Sequence, residues 1–525
     1  MPTGVAPPEM RAETRVPAKK LLWILLGIAV CAGIIVVLLA VNWPYTREGM
    51  IKRLERASSA RVEMRGFRST YFPFPGCVAE DVVFQSIRSG AARPADPIIS
   101  IRKLTIESTF LGLFSKPGRV RSIVAEGLRI HIPPGGADLH SAPGSDSDQV
   151  LIEALLAENA ILQVGSGPGG RPLVFQIHRV LFRNVGNKDK TPFQVSLRLP
   201  LPPGEVQSSG WLGPWKDANG TVRSTAISGT YVLQRANLGV FKSIAGELSS
   251  RGEFSGTLER LNVAGNTDTP QFEVTDIGHR LHLSTQFRGF VDLKNGDVVL
   301  PALQARLGNT DLTAHASVAG HPKTVALNVT QGTGQIQDFF LLLSEAPASP
   351  VTGPVNLHTQ ILLPSEHRPF KQRVQLSGNF MIDPAKFTSS ESQTGIDQLS
   401  ERANGKKDKG KDRDADDDAA GFDRVLTKLG GQVELKNGVA TFSRTSFSVP
   451  GAEAEMNGTY SLLSKRVNLG GKMRMNATVS QATTGAKSFF LKMVDPFYKK
   501  KHAGAEVPIA MTGLYGHTHF AAKLK

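Results

Sequence analysis

His517 and His519 stand two apart near the C-terminal end of this 525-residue chain. Alternation along a strand would put both imidazoles on one face. Such a pair supplies half of a zinc site, which takes three or four ligands. No third ligand accompanies them nearby, and surface histidines are the plainer reading; the chain's other histidines, out of twelve in all counting this pair, are scattered. Gly165-Ser166-Gly167-Pro168-Gly169-Gly170 matches the spacing of a dinucleotide-binding loop. That loop works by placing pyrophosphate on a helix N-terminus. Here the run contains Pro168 and opens onto a strand pattern from Leu173 to Ile177, so it reads as a plain loop. The sequence has no phosphate-cradling Gly-Lys-Ser/Thr loop, no His-Glu-x-x-His helix and no serine in a nucleophile elbow. Asp416, Asp417 and Asp418 belong to a low-complexity run and read as solvated charge. The residues point to no catalytic group, cofactor or metal, and so away from an enzyme; an unrecognised hydrolase stays open as a rival.

Bulk composition narrows the class further. Hydrophobic content of 40% excludes a multi-spanning membrane protein. With 52 Gly and 32 Pro, turns are frequent and long helices scarce. Formal net charge is +15, but Lys and Arg are spread along the chain with no aromatic-basic motif. That distribution fits a solvated, lipid-facing basic surface and not a nucleic-acid partner. The two cysteines, Cys31 and Cys77, lie inside and outside an apolar segment, so no intramolecular disulfide is expected.

The chain begins with a polar tail, residues 1–20, that carries Arg11, Arg15, Lys19 and Lys20. Residues 21–41 contain no charge and no strongly polar side chain. As a helix they span roughly 32 Å, enough for a bilayer core. Trp43 and Tyr45 follow where an interfacial aromatic belt belongs, which favours an uncleaved signal anchor over a cleaved signal peptide. A short tail stays inside more readily than it crosses, so the N-terminus is expected in the cytoplasm. Residues 47–59 read as a short amphipathic helix with Met50, Ile51 and Leu54 on one face.

Beyond that helix the period changes to two. Leu281, Leu283, Thr285, Phe287, Gly289, Val291 and Leu293 alternate with His282, Ser284, Gln286, Arg288, Phe290, Asp292 and Lys294. Val467, Leu469, Gly471, Met473 and Met475 alternate with Asn468, Lys472 and Arg474, and the pattern runs on to Val479. Similar runs cover Val195–Leu199 and Val355–Leu363. Each reads as a half-buried strand. Asn295-Gly296 and Asn437-Gly438 between such runs are hairpin signals. Residues 82–84, 98–101 and 104–106 read as short β runs, 133–149 as a loop, and 151–156 as one or two helical turns. Residues 405–420 form a charged low-complexity insertion expected to be disordered. Residues 396–402, 422–429 and 486–498 are expected as short helices, and a last strand lies near 507–511.

The apolar faces have two readings that alternation cannot separate. They pack against a second sheet in a closed core, or they line an open, curved sheet that covers lipid tails. The number of long strands and the anchor favour the second.

A set of motifs runs along the chain in order. After the single span and its following helix come Gly66-Phe67 and Phe72-Pro73-Phe74-Pro75, then residues 98–114. Next are Gly246-Glu247-Leu248-Ser249-Ser250-Arg251-Gly252 and Phe254-Ser255-Gly256-Thr257-Leu258. At the C-terminal end are Val449-Pro450-Gly451-Ala452, Gly458-Thr459-Tyr460, Asp495-Pro496-Phe497-Tyr498-Lys499-Lys500 and Val507-Pro508-Ile509. In these motifs, over nearly its whole length, the chain resembles the AsmA-like family, within the AsmA and TamB group. The resemblance implies a bacterial inner-membrane anchor, a periplasmic β-groove and phospholipid movement in outer-membrane biogenesis, with no catalytic or cofactor residues.

The expected fold is mostly β: one N-terminal transmembrane helix, then an elongated, curved antiparallel sheet forming a groove, with a few short helices. Its expected divisions are a cytoplasmic tail (1–20), the anchor (21–41), an N-terminal AsmA-like region (42–135), a loop (136–150), groove strands (151–400), the disordered insertion (401–421) and a C-terminal AsmA-like region (422–525). Leu281, Leu283, Phe287, Val291, Val467, Leu469, Met473 and Met475 are the candidate lipid-groove residues. The expected partners are the inner membrane, phospholipid and other envelope proteins. The alternative is a structural or regulatory envelope protein that assists outer-membrane protein assembly without carrying lipid.

Overall fold

The structure is a computed structural model. It describes residues 43–58, 60–85, 99–115, 118–132, 150–165, 172–186, 190–214, 224–241, 243–275, 278–293, 295–320, 322–344, 348–365, 368–388, 427–475, 505–514 and 517–522. Of these residues, 74% are strand.

Twenty-five strands follow one another along the chain. They are β1 (Arg61–Thr70), β2 (Gly76–Gln85), β3 (Ile99–Ser108), β4 (Gly118–Ile132), β5 (Val150–Val164), β6 (Leu173–Val185), β7 (Thr191–Pro200), β8 (Pro203–Leu212) and β9 (Ala226–Asn237). Then come β10 (Ile244–Ala245), β11 (Glu247–Thr257), β12 (Arg260–Val274), β13 (Leu281–Asp292), β14 (Asp297–Leu307), β15 (Thr310–Ala319), β16 (Thr324–Gln335), β17 (Val351–Thr352) and β18 (Pro354–Leu363). The last are β19 (Gln375–Phe387), β20 (Thr427–Lys436), β21 (Val439–Val449), β22 (Ala452–Ser461), β23 (Arg466–Met475), β24 (Ala505–Leu514) and β25 (His517–Ala522). Apart from the two-residue strands β10 and β17, which pair with β12 and β19, each strand pairs with the next in the chain. The product is one continuous ribbon that crosses every division expected between residues 43 and 522.

The ladder is antiparallel except at β4 and β5, which run parallel with Gly118 opposite Val150. This corrects the all-antiparallel expectation. A parallel return must retrace β4, about 50 Å at 3.3 Å per residue. The chain between Ile132 and Val150 is long enough to reach that far when extended. The same strand corrects the helical turns expected at 151–156. Leu151, Ile152, Leu155 and Leu156 look helical by spacing, but tertiary pairing on both sides holds them in β5.

The helices are few: α1 (Arg47–Ser58), α2 (Phe110–Phe114), α3 (Ile336–Leu343) and α4 (Phe370–Arg373). α1 lies where residues 47–59 predict it. Its Met50, with Ile51 and Leu54, packs on Val62, Met64, Val82 and Phe84 of the first strands, and Arg47 Nη2 donates to Met64 O at 2.7 Å. α3 and α4 have no counterpart in the sequence reading. The expected helix at 422–429 is overturned in its last residues, where β20 begins at Thr427. A further strand, β25, follows the last one expected. Among the described residues no helix is long and apolar enough to cross a membrane. Residues 21–41, the insertion at 401–421, and the helices expected at 396–402 and 486–498 lie outside the described residues, as does the stretch 476–479 beyond β23.

The first five strands depart from strict alternation for a local reason. Asp81, Gly127 and Asn159 have positive φ, at 51°, 65° and 51°. Each occupies the same level of the ladder, beside the residue left unpaired in its neighbour. The kink exchanges the faces, so Ala79 and Val82 are both buried although they are three apart, as are Ile101 and Leu104.

Candidate functional site

Cross-strand partners share a face, so the register can be followed from one end of the ribbon to the other. Starting from Phe67 on β1, the partners are Ala79, Leu104, Ala125 and Ala157. The row continues through Val180, Val195, Ser208, Tyr231, Gly252 and Gly265. It then passes Phe287, Leu303, Ala314, Val329, Thr359 and Gly378. Val433, Phe442, Gly458, Leu469 and Met511 complete it on β24. No residue in this row carries a charge. Twenty-one steps at about 4.8 Å make roughly 100 Å of arc.

Rows two residues away on the same face are also uncharged. Ile177, Leu197, Val206 and Leu233 form part of one. Leu327, Ile361, Leu376 and Leu435 form part of another. Two such steps along a strand make a band about 13 Å wide.

The opposite face, one residue out of step, contrasts sharply. Its row reads Glu80, Lys103, Glu126, Glu158 and Arg179, then Ser196, Gln207, Val232, Arg251, Asn266, Gln286 and Gln304. Lys103 Nζ donates to Glu126 at 2.8 Å and holds its carboxyl below the usual range. Arg474 does the same for Glu506 at 2.8 Å, with Lys472 at 3.6 Å. These pairs are exposed and contribute little stability; they keep this face wet.

Side chains of equal size report which face is sheltered. Ser208, Thr267 and Thr285 on the uncharged face are half-buried, whereas Ser209 and Thr230 on the other are exposed. Thr267 and Thr285 bond each other there, Oγ1 to Oγ1 at 2.6 Å. The ribbon therefore curls toward its uncharged face. Arg373 Nη2 reaches Ser243 Oγ at 3.1 Å although 130 residues separate them, which ties the β18–β19 connection to the segment before β10. His279 N donates to Leu341 O at 2.7 Å and ties α3 to the entry of β13. Glycines allow the tight curl: a Cβ on Gly252 would meet Ala264 O at 2.2 Å and the Tyr231 ring at 3.0 Å.

What covers the uncharged face changes along the ribbon. Over β1–β5 it is α1, with Trp43, Tyr45 and Met50 in the core. Over β14–β20, α3 contributes Ile336, Phe339 and Phe340. Between β6 and β13 the large side chains Leu197, Tyr231, Leu233, Phe254 and Phe287 stay half-buried. A second sheet packed on them would bury them fully, as in a sandwich core.

The candidate groove residues fall as follows. Leu281, Leu283, Phe287 and Val291 are half-buried on the uncharged face of β13, with Phe287 in the central row. Leu469 occupies the same row on β23 and is half-buried. Val467 and Met473 are buried at 8% and 7% exposure; Met473 packs with Val449, Ala452, Ala454 and Ile509 of neighbouring strands. Met475 pairs with Ala452 and Ala505 at the strand end. Sequence reasoning passed over Tyr231, Phe254 and Leu233, although Tyr231, Leu233 alternating with Val232, Gln234 carries the same signal. His517 and His519 belong to β25, opposite Leu514 and Thr512. Among the described residues no three His, Cys, Asp or Glu side chains converge.

No family model, curated protein or solved structure matches this chain. The likeness to the AsmA-like family rests on the motifs quoted above.

Proposed function

We propose that this protein is anchored in the bacterial inner membrane by residues 21–41, with the bulk of the chain in the periplasm, and that its curved sheet binds phospholipid and passes it along, supporting outer-membrane biogenesis. The observation that carries this reading is the stretch between β6 and β13 where Leu197, Tyr231, Leu233, Phe254 and Phe287 stay half-buried on the uncharged face, within a row that runs uncharged from Phe67 to Met511 and is backed by a polar face. Each methylene taken from water contributes about 0.8 kcal/mol. A tail leaving a bilayer therefore needs apolar cover at every step, and a single charge in the row would interrupt it. Head groups stay in solvent along the strand ends. The mechanism is passive: tails slide along the uncharged face, and direction comes from elsewhere.

The N-terminal tail stays cytoplasmic in this reading. The test is mass spectrometry of the chain from Trp43 onward, purified without detergent. The expected result is co-purifying phospholipid in stoichiometric amount. Preparations free of lipid at full occupancy of fold would favour the rival, a scaffold that assists outer-membrane protein assembly.

A further inference from the structure

Four solvent-exposed large apolar side chains, the two most exposed among the described residues included, cluster at one place. Phe72 is 86% exposed, Leu111 87%, Tyr71 58% and Phe110 43%. Phe72 and Tyr71 belong to the connection between β1 and β2, and Phe110 and Leu111 to α2, which follows β3. The two segments are locked side by side: Ser108 N donates to Pro75 O at 2.8 Å, and the Thr109 side chain caps α2. Both therefore project from the same end of the first strands.

Two independent features say what meets this patch. The Tyr71 ring lies 4.7 Å from that of Trp43, and Trp43 follows the uncharged residues 21–41 by two positions. The patch therefore lies beside Trp43, the first described residue after the apolar segment. Arginines lie around it, with one carboxylate, Glu107, which accepts from the Ser122 hydroxyl at 3.1 Å. Arg121 lies 4.0 Å over the Phe74 ring, Arg119 accepts the Ser108 hydroxyl on its carbonyl beside α2, and Arg68 is exposed on β1. Aromatic and aliphatic side chains framed by arginine match the acyl–headgroup boundary of an anionic bilayer.

We propose that Tyr71, Phe72, Phe110 and Leu111 insert into the same membrane that holds residues 21–41, seating the first strands of the ribbon on the lipid surface. The inference rests on the anchor reading but not on lipid passage. Insertion at two points besides the span fixes the tilt of the ribbon and holds its first strand ends against the bilayer.

The experiment uses the full chain in nanodiscs of phosphatidylethanolamine and phosphatidylglycerol doped with doxyl-labelled lipid. A fluorophore is attached after Phe72→Cys or Leu111→Cys, with Leu463→Cys as the reference; all three sites are exposed, so the fold is not at stake. Cys31→Ser leaves Cys77 as the single native thiol, and Cys77 is buried and does not label. The expected result is severalfold stronger quenching at 72 and 111 than at 463. Equal quenching at all three sites, in chain that is reconstituted, overturns insertion and leaves the anchor standing. Chain that does not enter nanodiscs overturns anchor and insertion together. Neither outcome alters the test for bound phospholipid.

Discussion

Phe287 and Arg288 are consecutive on β13 and belong to different worlds. Phe287 pairs with Gly265 and Leu303 in the uncharged row; Arg288 pairs with Ala264 and Ala302 on the exposed face. The period of two separates them completely. That separation, repeated on strand after strand, is what the proposed function depends on.

Phe287→Asp should therefore stop lipid transit while leaving the fold in place, because Phe287 is half-buried and an aspartate there reaches water. Arg288→Asp, one residue away, should have no effect. Outer-membrane permeability in cells dependent on each variant reads the difference. Equal behaviour of the two variants would contradict the assignment of faces.

Gly252→Ala should destabilise by about 1–3 kcal/mol. The new methyl meets Ala264 O at 2.2 Å and Gly265 Cα at 2.8 Å, which are backbone and cannot move aside cheaply. Denaturant midpoints with and without Tyr231→Ala divide the cost. Removing the ring should recover only a small part, since it is the farthest of the three contacts at 3.0 Å.

Asp338→Ala should cost about 1.5–3 kcal/mol, the range for hydrogen bonds to charged groups. The carboxylate accepts from Thr310 Oγ1 at 2.7 Å and Asn309 N at 2.9 Å, and both Asp338 and Thr310 are buried. The loss should appear as faster hydrogen exchange in the β14–β15 turn and in α3, not across the sheet.

Cys77 gives a pH signature. Burial pushes its thiol up to about 12, with Arg53 pulling weakly the other way. An unfolded thiol ionises near pH ~8.5. The native state therefore keeps a proton that the unfolded state gives up, and this contribution is complete below about 8.5 and lost as pH rises toward 12. Cys77→Ala should flatten that alkaline decline in the denaturant midpoint. An equally steep decline in the variant would rule out Cys77 as its source.

How far the sequence foretold this fold depended on whether one strand's pattern was enough. β23 alternates cleanly, and β13 does so apart from Phe290 beside a register shift, so their faces were readable almost residue by residue. β1 to β5 were not, because the positive-φ residues Asp81, Gly127 and Asn159 switch faces in mid-strand and break each run into fragments. Leu151 to Leu156 looked helical because its parallel partner β4 lies across a long connection that local spacing does not report. α3 is short and packs on distant strands, and α4 is held through Arg373, which donates to Ser243 130 residues away. The width and continuity of the uncharged face were illegible for another reason: they are properties of register between strands, and a one-residue slip at any step would have reversed them.

The central claim is that lipid covers the uncharged face between β6 and β13. Photo-crosslinking amino acids placed singly along β13 in living cells test it directly. The account predicts phospholipid adducts at Leu281, Leu283, Phe287 and Val291, and none at His282, Gln286 or Arg288. Adducts from the first set to other segments of this chain, with no lipid, would mean that protein covers the face and would contradict it.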